Sequence, residues 1–209
     1  MPTNKVKQNF QKAKDINVNS VKAILKILKK NKRKVWFFLA SSSHVYPFSK
    51  NKISEKKKLQ PINKYGTTKL LAERALTDKR YNQYVNYCIG RIFSYTNPDQ
   101  DQSFIVPSLF EKKKIDINNL NHCRDFIHID DICSAIEILC MSKKKGIFII
   151  GSGKKVNLVH LYNLARGTSY PISKKPVTSH YADNNKLKKT GWSEKKNILN
   201  IIKNFKNKK

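Results

Sequence analysis

Apolar positions along the chain recur with two different periods. Val18, Val21, Ile24, Leu25 and Leu28 fall three and four apart, which predicts an amphipathic helix over 18–30 with Asn17 or Asn19 as its N-cap. Residues 35–40 (VWFFLA) are apolar without interruption, the pattern of a strand covered on both faces. A helix over 65–79 and a second buried strand over 86–95 follow, so helix and strand alternate as in a parallel α/β sheet. Beyond Pro98 the pattern predicts a helix over 104–113, an extended piece over 125–129 and a helix over 132–141 capped by Asp130 and Asp131. An apolar strand over 146–150 then ends at Gly151-Ser152-Gly153, a helix covers 158–166, and a last helix starts near Glu194.

Composition narrows the class. The 209 residues are 39% hydrophobic with only 7 Gly and 7 Pro, which excludes collagen-like and wholly disordered chains. A net charge of +29 first points to nucleic acid or an anionic surface. Against that, only six of the 43 basic side chains are Arg, and the Lys runs sit at segment ends: 29–30, 56–58, 112–114 and 143–145. Nucleic-acid readers gather charge on one face and favour Arg for bidentate contacts, so nucleic acid is an unfavoured partner, and a basic non-enzymatic binding module is the lesser reading. Cys88, Cys123, Cys133 and Cys140 show no Cys-x-x-Cys pairing or metal-ligand spacing, so no metal is expected. No apolar stretch approaches the about 20 residues a membrane span needs, and the expected setting is a cytoplasmic protein without membrane association.

Two short patterns carry candidate chemistry. Tyr65 and Lys69 stand one helical turn apart, and a cation beside a phenol favours the phenolate, which makes tyrosine usable as an acid or base. Ser41, Ser42 and Ser43 follow the apolar strand directly, at the end of a parallel strand where open α/β sheets build their sites.

Read together, these motifs resemble the extended short-chain dehydrogenase/reductase family, in its nucleotide-sugar epimerase, dehydratase and reductase branch. The matching stretches are Asn17-Val18-Asn19-Ser20, the Ser cluster before Val45-Tyr46, and Pro61 through Tyr65-Gly66-Thr67-Thr68-Lys69 to Glu73. They continue with Arg91-Ile92-Phe93, Arg124-Asp125-Phe126-Ile127-His128-Ile129-Asp130-Asp131, Gly151-Ser152-Gly153 and the tail from Ala182-Asp183 to Gly191-Trp192. The resemblance implies an α/β fold: part of a Rossmann-like parallel sheet over 1–97 and, over 98–209, mostly a small α+β substrate-binding lobe with some segments returning to the sheet.

It also implies roles. Tyr65 is the general acid/base, Lys69 lowers its pKa and holds the nicotinamide ribose of NAD or NADP, and Ser42 steadies the substrate oxygen, with Ser43 as the other choice. Asn17 and Phe93 lie near the cofactor. Ser94, Arg124 and Phe126 lie on the nucleotide-sugar side, with Arg124 meeting a phosphate. The competing readings are structural: Arg124 as a surface ion-pair partner of Asp125, Phe93 as core alone, and His128 as an extended-segment residue with no chemistry.

Some positions depart from the family pattern. The sequence has no Gly-x-x-Gly-x-x-Gly turn for the cofactor pyrophosphate. Ser94 and Ile149 stand where many members carry Asn, and residues 96–108 lean toward a deoxysugar reductase. The expectation is that the first strands of the sheet are missing, so that 35–40 has an open edge and Trp36, Phe37, Phe38 and Leu39 are exposed. The chain would then be dimeric, completed by an N-terminal fragment, or an inactive piece.

Overall fold

A computed structural model describes residues 6, 9–111 and 115–207. Helix α1 (Phe10–Lys14) is capped by Asn9, whose side chain accepts from the Lys12 N–H, and it runs through a π-helical turn, Asp15–Asn19, into α2 (Ser20–Lys30). Neither Asn17 nor Asn19 caps α2 with its side chain, contrary to expectation. The backbone is already helical there, so the first N–H groups of α2 have partners. Val21 and Leu25 are buried, while Ile24 lies on the flank of the helix and is 40% exposed.

Strand β1 (Val35–Ser42) extends past the apolar run into the serines, because Ser41 and Ser42 pair in register with Arg91 and Ile92 of β2 (Val85–Ile92). Helix α3 (Lys64–Leu76) forms the crossover between these parallel strands. The second predicted strand divides at Phe93: β3 (Ser94–Thr96) leaves the main sheet and pairs with β5 (Phe126–His128). Strand β4 (His122–Arg124) precedes β5, and α5 (Ile129–Met141) leads to β6 (Gly146–Ile150), which lies parallel to β2. The cap of α5 is His128, whose side chain accepts from the Asp130 N–H at 3.1 Å, rather than Asp130 or Asp131. Asp131 turns inward and accepts from the Lys195 and Lys196 N–H groups.

The main sheet thus has the parallel order β1-β2-β6. Alternating strand residues serve opposite faces. Leu39, Val85 and Ile89 pack under α2 and α3 with Val21, Leu25, Ala72 and Leu76, whereas Cys88, Phe148 and Ile150 pack with Ile132, Ala135 and Leu139 of α5. The result is a three-layer α/β/α unit with a Rossmann-like crossover pattern.

The free edge of β1 has no partner among the described residues. The exposure of its apolar residues is corrected: Leu39 is buried, and Trp36, Phe37 and Phe38 are half-buried. Phe38 packs on the α5 side, and the Trp36 indole donates to the Lys144 carbonyl at 2.8 Å.

The smaller lobe is built on β4, flanked by antiparallel β7 (Val156–Asn157) and parallel β8 (Thr178–His180). Its core gathers α4 (Ile105–Leu109), α6 (Leu158–Arg166) and, after the short α7 (Asn185–Lys188), α8 (Ile198–Asn207). Helix α4 is shorter than predicted, and Lys112 to Lys114 lie outside the described residues. Helix α8 starts later than Glu194 because Asp131 takes the N–H groups of Lys195 and Lys196 and Glu194 pairs with Lys154.

Candidate active site

The carboxyl end of β1 and the start of α3 meet tightly. Asn63 caps α3 through its Oδ1, which accepts from the Gly66 N–H at 2.8 Å, while its Nδ2 lies 3.0 Å from Nδ1 of His44. The Ile62 N–H donates to the His44 carbonyl. Gly66 lies so close to that carbonyl that a Cβ would sit 2.2 Å from its oxygen. Only glycine lets the helix carrying Tyr65 approach the serine turn this closely.

The three serines divide their work. Ser41 donates to the Glu73 carboxylate beneath the site. Ser42 accepts from the His44 N–H at 3.2 Å, and its side chain lies beside the Tyr65 phenol, where it favours the phenolate. Ser43 is buried and opens the 3-10 turn Ser43–Val45. Of the two serines considered for the substrate oxygen, Ser42 is the one beside Tyr65.

Lys69 places its ammonium 5.7 Å from the centre of the Tyr65 ring and donates to the Ala40 carbonyl at 3.0 Å. Burial pushes Tyr65 up, against the Ser42 side chain, and burial also lowers Lys69, whose cation is engaged by Ala40. Asn17 reaches this helix indirectly: its Nδ2 donates to Thr68 Oγ1, which in turn donates to the Tyr65 carbonyl.

A buried ion pair supports helix α3 from below. Arg91 and Glu73 meet at 2.7 Å, and Arg91 Nη1 also donates to the Tyr46 hydroxyl at 2.5 Å. These residues stood in the motifs, but nothing in their spacing announced that they bond to one another.

The other predicted residues are brought only partly together. Phe93 is buried and stacks on His180 with ring centres 5.1 Å apart. His180 contacts His44, which lies edge-on to Tyr65, so the aromatic wall is continuous from Phe93 to the phenol. Arg124 packs over Phe48 at 5.0 Å and donates to Cys123 O and Thr178 Oγ1. It does not take Asp125 as its partner. Asp125 turns inward and accepts from Ser152 N–H and Oγ, Gly153 N–H and Ala182 N–H. Ser94 lies on β3 and pairs in register with Phe126, which is a core residue packed with the lobe's helices.

Sequence reasoning missed His44 and His180. His44 could have been noticed as the neighbour of the serine run. His180 had no local signal, because it enters the site through the pairing of β8 with β4.

The sequence pattern of the GDP-mannose 4,6 dehydratase family matches residues 4–188. The chain belongs to that family. This agrees with the resemblance to extended short-chain dehydrogenase/reductases that the motifs suggested. Among curated relatives of this family member, ADP-L-glycero-D-manno-heptose-6-epimerase of Brachyspira hyodysenteriae is 31% identical over 143 residues, covering 62% of this chain and 45% of that protein. The uncharacterized UDP-glucose epimerase YtcB of Bacillus subtilis is 25% identical over 174 residues, covering 80% and 54%. The chain therefore spans about half the length of the curated relatives it matches. Among solved structures, RMD from Pseudomonas aeruginosa complexed with NADPH superposes with a TM-score of 0.85 at 20% identity, covering 98% of this chain and 76% of that one. The UDP-glucose 4-epimerase of Thermotoga maritima with UDP-glucose gives 0.77 at 21%, covering 93% and 70%. At these identities the structural likeness establishes the fold, a Rossmann-like sheet with an appended lobe.

Proposed function

We propose that this chain carries the acid/base and substrate-binding part of an NAD(P)-dependent nucleotide-sugar epimerase or reductase. The observation that carries the reading is the Tyr65 phenol beside Ser42 at the end of a parallel strand, with the Lys69 ammonium 5.7 Å from its ring centre. Tyr65 moves a proton at a sugar hydroxyl oxygen, and Ser42 holds that oxygen by a hydrogen bond. Lys69, lying beside Tyr65, would face the nicotinamide ribose, with Asn17 and Phe93 nearby. The nicotinamide, when bound, supplies hydride exchange at the sugar carbon. The residues present suit that half of the dinucleotide, since a hydroxyl, a phenol and an ammonium converge at the end of β1. The substrate phosphate falls to Arg124.

A second reading is favoured by the open edge of β1 and by the absence of Gly-x-x-Gly-x-x-Gly from the sequence. On that reading the pyrophosphate is held by a further segment that pairs with β1.

The test is turnover of nucleotide sugars with NAD and NADPH, with and without an added Gly-rich βαβ segment from a relative. Turnover that disappears in Tyr65→Phe while nucleotide-sugar binding persists is the expected result. Equal turnover in the parent and in Tyr65→Phe, or no turnover in any mixture, removes the catalytic reading.

A further inference from the structure

The wall of the site contains one side chain whose hydrogen bonding is incomplete. His180 is 3% exposed, and its Nε2 has no hydrogen-bond partner. The ring's other side lies against the Ser43 backbone, whose carbonyl favours a proton on the nitrogen facing it. The tautomer with its proton on Nδ1, toward that carbonyl, leaves Nε2 with an unprotonated lone pair. Buried polar atoms in native proteins are almost always paired, so an orphaned acceptor at a site marks a donor that arrives with a ligand.

The position of His180 says which ligand. In the parallel pairing of β4 with β8, Arg124 and His180 are register partners, which puts both side chains on the same face of the small sheet. Phe48 touches both, with its ring 5.0 Å from the Arg124 guanidinium and 5.7 Å from the His180 ring. A cation for an anionic group and a neutral acceptor for a hydroxyl thus stand side by side. The rings of Phe93, Phe48 and His44 around the imidazole offer apolar surface to the C–H faces of a pyranose. On its other side His44 leads to Tyr65, at 5.6 Å.

We propose that His180 Nε2 accepts a hydrogen bond from a sugar hydroxyl of a phosphate-linked sugar whose phosphate lies on Arg124, so that His180 selects among sugars by that hydroxyl. This rests on the nucleotide-sugar reading above and assigns a further residue to it. His180 neither donates nor removes a proton in the reaction. It fixes the sugar so that the carbon bearing the reacting hydroxyl faces Tyr65.

The experiment is calorimetric titration of the full chain with UDP-glucose against UDP and with GDP-mannose against GDP, followed by single-deoxy analogues of whichever sugar binds. In the parent, the sugar nucleotide binds more tightly than its nucleoside diphosphate, and one deoxy position costs about tenfold in affinity, the size of a single hydrogen bond. His180→Phe keeps the ring stacked on Phe93, loses about the same factor for the sugar nucleotide alone, and becomes indifferent to that deoxy substitution. His180→Gln, which retains an acceptor, recovers most of the loss. An H180F protein that weakens UDP and UDP-glucose alike, or neither, overturns the inference while leaving the nucleotide-sugar reading intact. Should H180F fail to fold, equal affinity of the parent across the deoxy series overturns it as well. If the parent binds no member of either pair, the nucleotide-sugar reading itself falls and the inference with it.

Discussion

Asp125→Asn tests whether one carboxylate ties the two parts of the molecule together. The side chain is 0% exposed and has no cation among its partners; it is held by four donors. Oδ1 accepts from Ser152 N–H at 2.8 Å and Ser152 Oγ at 2.6 Å, and Oδ2 accepts from Gly153 N–H at 2.8 Å and Ala182 N–H at 3.0 Å. An amide keeps the shape but turns one oxygen into a donor. The less costly orientation directs the NH2 at Ser152, whose hydroxyl can rotate to accept, and leaves the Ser152 N–H orphaned. One unsatisfied buried N–H costs about 1–3 kcal/mol, and the bonds to Gly153 and Ala182 lose their charge assistance, about 1 kcal/mol each. Burial pushes the Asp125 pKa up, so removing the charge returns part of this. The net expectation is a loss of about 3 kcal/mol, a large share of the about 5–15 kcal/mol typical of a folded protein. For a chain of this length that is a fall in Tm of about 6–12 °C. Urea unfolding followed by circular dichroism gives the value directly, with an unchanged m confirming that the denatured state is the same. A variant within about 0.5 kcal/mol of the parent, the scatter of ordinary surface substitutions, would show that the four bonds are not what holds the Gly-Ser-Gly turn and the Ala182 segment together.

Two further predictions concern the site. Gly66→Ala places a methyl 2.2 Å from the His44 oxygen, so the helix start must move; the expected cost is about 1–3 kcal/mol with Tyr65 drawn away from Ser42, and an unaltered melting curve refutes it. His180 is held neutral, its pKa pushed down to about 3 by burial and by the neighbouring His44 and Arg124. Between the ordinary value of 6.5 and about 3 the unfolded chain binds a proton that the folded chain refuses, so stability is lost as pH falls, by up to about 1.4 kcal/mol per unit. His44, also lowered by burial, acts in the same direction. Unfolding free energies measured from pH 7 to pH 4 should fall less steeply in His180→Gln than in the parent, and parallel curves count against this account.

The local patterns were legible because their causes are local. Tyr65 and Lys69 share a helix face by their spacing, and the apolar run 35–40 needed burial on both sides wherever it lay. Boundaries failed where distant residues set them. Ser41 and Ser42 join β1 because Arg91 and Ile92 lie opposite, and α8 starts late because Asp131, far earlier in the chain, takes two of its upstream N–H groups. The Tyr65–Lys69 pair could be read from one segment, whereas the aromatic wall could not: Phe48, Phe93 and His180 meet only after β8 has paired with β4. The fate of Arg124 and Asp125 shows the same limit. Adjacent opposite charges suggested a pair, but their side chains project to opposite sides of an extended backbone and found different partners.

The edge position of β1 also bears on how the molecule reaches its fold. The three strands of the main sheet begin at Val35, Val85 and Gly146, and parallel pairing requires each long loop to close before any ladder bond forms. The helices can form early, but the apolar strand then waits for β2 with both edges open, where a second nascent chain is as good a template as the native partner. Dilution during refolding therefore favours the native sheet. Lys32, Arg33 and Lys34 stand directly before the strand, and their like charges repel a second copy approaching in parallel register. Part of the +29 charge thus guards the chain's most aggregation-prone segment while it remains unpaired.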